Sequence, residues 1–145
     1  MKIVINSCYG GFSLSPKGCR RYLELKGLES YFYKQTKYKF DCGEVELTRV
    51  DDIGDVPKFF FYCTTRDQGK TISDYPEDTF NSHSLKRSDP ILVQVVEELG
   101  KEASGDCSYL VIVEIASGRR FRIREYDGYE SVQYRDIDDE WILAE

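Results

Sequence analysis

Two stretches of this chain carry complete helix punctuation, and they limit what the rest can fold into. Ser15-Pro16 opens the first and Gly27 closes it; Asp89-Pro90 opens the second and Gly100 closes it. A short oxygen-bearing side chain caps amides that have no partner within the helix. Proline then fills a position that needs no N–H, and glycine takes the left-handed turn beyond the last residue. In the second stretch Ile91, Leu92, Val95, Val96 and Leu99 form one apolar stripe. The first runs through Arg20, Tyr22, Leu23 and Leu25.

The rest is rich in β-formers. Strands are expected at 2–6, 30–40, 44–50, 58–64, 109–116, 119–126 and 129–134, with a last short one at 140–144. Ser117-Gly118 marks a turn, and Asp127-Gly128 is a strong hairpin signal. Residues 65–88 read as a long loop holding at most a short strand at Thr79-Phe80. The order β-α-β-β-β-α-β-β-β points to an α+β fold, a mixed or antiparallel sheet with two main helices packed on it. With 145 residues, 41% hydrophobic and 14% aromatic, the chain suits a single domain over 1–145 with one packed core.

No apolar run approaches the roughly 18 residues of a membrane span, and the N-terminus lacks the long apolar region of a signal peptide. A cytoplasmic protein without a membrane partner is expected. Five cysteines without close pairs and a single histidine, His83, do not make a zinc pattern, and they fit reduced thiols.

The formal charge of −6 argues against coating duplex nucleic acid. It is unevenly distributed. From residue 125 onward there are eight acids against one base, Arg135, which leaves 18 acids and 19 bases in the preceding 124 residues. A positive pocket for a small anion is compatible with that balance.

Three groups of residues suit such a pocket, and each has a plainer explanation. The loop Tyr9-Gly10-Gly11-Phe12-Ser13 lies between the first strand and the first helix. There, freed backbone amides can hold a phosphate, with Lys17, Arg20 and Arg21 adding positive potential. Neither phosphate-loop nor dinucleotide fingerprint is present, and a glycine pair also serves simple chain reversal. Tyr9 and Phe12 suit base stacking or core anchoring equally. Arg120, Arg122 and Arg124 alternate with Phe121 and Ile123, so period two places the arginines on one face of a strand. Anions should sit among them, either ligand phosphates or internal carboxylates such as Glu114, Glu125, Glu130 or the acidic tail. The aromatic-lysine run at 31–40 fits single-stranded nucleic acid, or a half-buried strand with a wet lysine face. No nucleophile–base pair stands near His83, and the acids at Asp51-Asp52 and 136–140 lack an EF-hand pattern, so no catalytic residue, metal or cofactor is expected.

The opening Met1-Lys2-Ile3-Val4-Ile5-Asn6-Ser7-Cys8-Tyr9-Gly10-Gly11-Phe12-Ser13-Leu14-Ser15 resembles that of a family of small phage and prophage proteins, the Thoeris anti-defence sponges. So do Arg87-Ser88-Asp89-Pro90 with Val95-Val96-Glu97-Glu98-Leu99-Gly100, and Glu125-Tyr126-Asp127-Gly128. Residues 30–85 match least, as a family-variable insertion would. The resemblance implies a non-enzymatic protein of the host cytoplasm. Such a protein sequesters a cyclic ADP-ribose isomer made by a bacterial TIR-domain sensor, or in some members cyclic oligonucleotides, and leaves the ligand intact. It also implies a homo-oligomer, dimer or hexamer. The best-matched ligand-binding residues are Tyr9, Gly10, Gly11, Phe12, Ser13 and Arg87; Arg120, Arg122 and Arg124 join them on physical grounds alone. The competing expectation is an interaction module that docks a host protein through the acidic C-terminal region, around Asp138, Asp139 and Glu140.

Overall fold

A computed structural model describes residues 1–135, so the strand expected at 140–144 and the acids from Asp136 onward lie outside the described residues. The elements run β1 (Lys2–Asn6), α1 (Pro16–Leu25), β2 (Tyr31–Lys37), α2 (Lys39–Cys42), β3 (Glu46–Val50), β4 (Tyr62–Thr64), β5 (Thr71–Ile72), α3 (Pro90–Leu99), β6 (Leu110–Glu114), β7 (Phe121–Tyr126) and β8 (Tyr129–Tyr134). The fold is α+β with antiparallel pairing throughout, and the strands divide into three sheets: β1-β6, β4-β2-β3-β5 and the ribbon β7-β8.

Both helices begin where their caps place them. The Ser15 hydroxyl accepts from the Gly18 amide at 3.1 Å, and Asp89 accepts from the Ile91 amide at 2.9 Å. Tyr22 of α1 donates its phenol to the other Asp89 oxygen at 2.5 Å, which ties the two helices together. Burial and the Asp89 carboxylate push that phenol well above the usual tyrosine range.

β1 has two buried faces, which explains its unbroken apolar run. Val4, with Leu110 and Ile112 of β6, joins the core beneath α1 and α3. Ile3 and Ile5 face the other way and pack with Ile115, Val111 and Val113 against Phe121, Ile123 and Val132 of the ribbon. The result is three layers: helices, the β1-β6 pair, and the β7-β8 ribbon. Burying each such aliphatic side chain contributes about 1.5–3 kcal/mol. The four-stranded sheet is built entirely from the stretch 30–85, and Phe32 and Cys63 anchor it to the helical core.

Several local expectations are corrected. The strand foreseen at 58–64 shortens to Tyr62–Thr64, because its ladder with β2 ends at the Tyr33–Tyr62 pair. Thr79-Phe80 makes one bridge, Thr64 to Thr79, instead of a strand. The loop 65–88 does contain β5, which pairs with β3 through Leu47–Ile72 and Thr48–Thr71. Among the described residues, no helix is long and apolar enough to cross a membrane.

Candidate ligand-binding cleft

The glycine loop is a joint between the first strand and the turn of the β7-β8 ribbon. Asn6, fully buried, organises it. Its amide nitrogen donates to the carbonyls of Cys8 and Gly128, both at 2.8 Å. Its oxygen accepts from the Tyr109 amide at 2.8 Å and the Ser108 hydroxyl at 3.2 Å. All four hydrogen-bonding positions of the side chain are therefore filled. The Asn6 backbone amide donates to Glu130, whose carboxylate also takes a forked ion pair from Arg87 at 3.0–3.1 Å. The Arg87 guanidinium lies 3.6 Å from the centre of the Phe12 ring and donates at 2.7 Å to the Leu85 carbonyl.

The hairpin turn closes over the loop. Asp127 and Gly128 both have positive φ, 49° and 84°, as a primed two-residue turn requires. The Gly10 amide donates to the Asp127 carbonyl at 3.2 Å. A methyl group on Gly128 would lie 2.2 Å from the Gly11 nitrogen, and one on Gly10 would lie 2.7 Å from the Cys107 Cβ. Close backbone approach is what these glycines permit.

This geometry corrects the expected phosphate cradle. The Ser13 amide donates to the Ser108 hydroxyl and the Leu14 amide to the Ser82 hydroxyl, while Ser15 caps α1 itself. The cations expected to add potential are neutralised: Lys17 pairs with Glu102, Arg20 with Glu24, and Arg21 with Glu98 and Glu24. Phe12 is a core anchor, whereas Tyr9 is 59% exposed and lies tilted against Tyr129 with ring centres 5.3 Å apart. Arg87 is held internally. Asp51 pairs with Arg49, and Asp52 caps a short 3-10 turn. Lys34 and Lys37 of β2 are exposed, whereas Phe32 and Tyr33, on opposite faces of the strand, are both buried.

The opposite side of the loop does border a hollow. Gly10, Ser13 and Leu14 line a half-open cleft of about 590 Å³, together with Lys58, Phe59, Phe60, Tyr62, Asn81, His83, Asp106 and Cys107. That volume falls in the range of small-molecule sites, roughly 300–1,000 Å³. Phe60 meets Tyr62 edge to face at 5.3 Å, and Phe59 beside them is 81% exposed. Lys58 has no carboxylate partner among the described residues. His83 Nδ1 donates to the Phe12 carbonyl, and its backbone amide is held by Asn81. In the sequence His83 falls within the loop 65–88 and the phenylalanines within the strand expected at 58–64. The run Lys58-Phe59-Phe60-Phe61-Tyr62, too apolar for a free loop, was the signal that a surface needed covering there. A second hollow of about 640 Å³ borders β3 and β5, but its Lys37 is matched by Glu44 and Glu46 and Asp74 joins its wall, a setting unfavourable to anions.

Cys107, its neighbour Asp106 and His83 all line the cleft, a set that suggests thiol chemistry. The Asp106 carboxylate pushes the Cys107 thiol up from its ordinary value, which depletes the nucleophilic thiolate. Cys8, Cys19, Cys63 and Cys107 are all free. Among the described residues, no group of three or more His, Cys, Asp or Glu is placed to hold a metal ion. The arginine row 120–124 does not line the cleft. No known family model, curated protein or solved structure matches the chain.

Proposed function

We propose that this chain is a phage anti-defence sponge that captures a small cyclic nucleotide signal, a cyclic ADP-ribose isomer, and leaves it intact. The observation that carries this reading is the cleft between the glycine loop and residues 58–62, with ring faces for a base and Lys58 and Asn81 for phosphate oxygens. Among the described residues that line it the one acid is Asp106, which pushes the Cys107 thiol up and so disfavours nucleophilic attack by that residue. A sponge competes for a scarce messenger, and nanomolar capture corresponds to about −12 kcal/mol. A half-open cleft reaches that more readily when a second copy covers the exposed Phe59, so the working form is a homo-oligomer.

The test is a thermal-shift titration with cyclic ADP-ribose isomers, followed by heat denaturation and mass analysis of the released ligand. A raised melting temperature with the ligand recovered at unchanged mass supports the reading, as does loss of that shift in Phe59→Ala and Lys58→Ala. No shift with any isomer, or recovery of a cleaved product, overturns it.

A further inference from the structure

The arginines of the first ninety residues differ from those along the ribbon. Arg20, Arg21, Arg49, Arg66 and Arg87 are each paired with a carboxylate. Arg120, Arg122 and Arg124 have no carboxylate partner among the described residues. Arg122 is held by a neutral group instead, its Nε donating to Gln133 at 2.6 Å.

The ribbon also sorts its charges by face. Arg122 and Arg124 lie opposite Gln133 and Ser131, and Tyr126 lies opposite Tyr129, all on the outer face. Arg120 extends the row, its carbonyl accepting from the Arg135 amide at 3.0 Å. The ribbon's own carboxylates take the alternate positions. Glu125 accepts from the Gly128 amide, and Glu130 is buried with Arg87. Three exposed cations about 7 Å apart therefore lie along one line. At the turn end of that line are two rings, Tyr126 and Tyr9, 78% and 59% exposed, with Tyr129 tilted against Tyr9.

We infer that the outer face of the β7-β8 ribbon binds single-stranded nucleic acid, with Arg120, Arg122 and Arg124 on successive phosphates and Tyr126 and Tyr9 stacking bases. The arginine spacing is about twice the 3.4 Å rise of a stacked strand, so it suits an unstacked one. A line of cations alone would take any polyanion; the rings at its end select one that carries bases. This site is separate from the cleft and does not depend on the messenger reading.

The experiment is fluorescence anisotropy of the full chain with a labelled oligothymidylate of about ten nucleotides. Binding should weaken with salt at a slope near −2 in log K against log salt, about 0.7 per phosphate contacted. The triple variant Arg120→Gln, Arg122→Gln, Arg124→Gln should bind at least tenfold more weakly and with a slope near zero. Arg124→Gln alone should bind about threefold more weakly, and Tyr126→Ala should weaken binding without changing the slope. The inference fails if the triple variant binds as the parent does, if a duplex of equal length binds as tightly, or if polyglutamate displaces the probe as well as unlabelled oligothymidylate. Absence of any binding at low salt also overturns it.

Discussion

The joint around Asn6 and the outer face of the ribbon are built from the same short hairpin, yet they treat polar groups in opposite ways. At the joint, an amide, an ion pair and three backbone segments close on one another within the interior. On the outer face, Arg120, Arg122 and Arg124 are left without carboxylate partners among the described residues, and the rings of Tyr126 and Tyr9 stay exposed. The glycine loop, the most conspicuous sequence feature, belongs to the first class and ties the end of β1 to the turn of the β7-β8 ribbon. The groups available for recognition sit around it, in the cleft and along the ribbon.

The largest effects should come from breaking the joint. Glu130→Ala leaves Arg87 with its positive charge enclosed and the Asn6 amide unpaired, and loss of one partner of a buried pair costs about 3–5 kcal/mol. A chemical denaturation midpoint well below the parent's checks this. Asn6→Ala should cost about 2–3 kcal/mol, since it strands the Tyr109 amide and the Gly128 carbonyl, and the same titration reads it. In contrast, the triple arginine variant should melt within about 0.5 kcal/mol of the parent, because exposed side chains away from such networks contribute little. A marked loss of stability there would mean that the row has internal partners after all.

The smallest effect concerns pH. The Gly69 amide, with Arg49 beside it, holds the Asp67 carboxyl below its ordinary value. A lowered carboxyl favours the fold above the unfolded-state pKa, and that advantage is lost as pH falls through the folded-state value. Asp67→Asn should therefore show a slightly shallower decline of melting temperature between pH 5 and pH 3, about the span over which such a carboxylate protonates.

Much of the scaffold was legible because it depends on short-range chemistry. The Ser15-Pro16 and Asp89-Pro90 caps, the two-sided burial of residues 3–5 and the Asp127-Gly128 turn each follow from a few neighbouring residues. The division into three sheets was not legible, since strand partners are chosen by contacts far apart in the chain. Neither was Asn6 as the organising side chain, because its partners at 108–109 and 128 are more than a hundred residues away. Period two placed the arginines on one face, but whether carboxylates would meet them depended on which way Glu125 and Glu130 were turned.

By itself the sequence determined where the two main helices and the last hairpin turn begin and end, and which residues alternate along the strands. Only the tertiary structure decided which of those residues are enclosed. A hydrogen bond or ion pair is worth forming in the interior only where folding brings a partner within about 3 Å, and no local pattern encodes that distance.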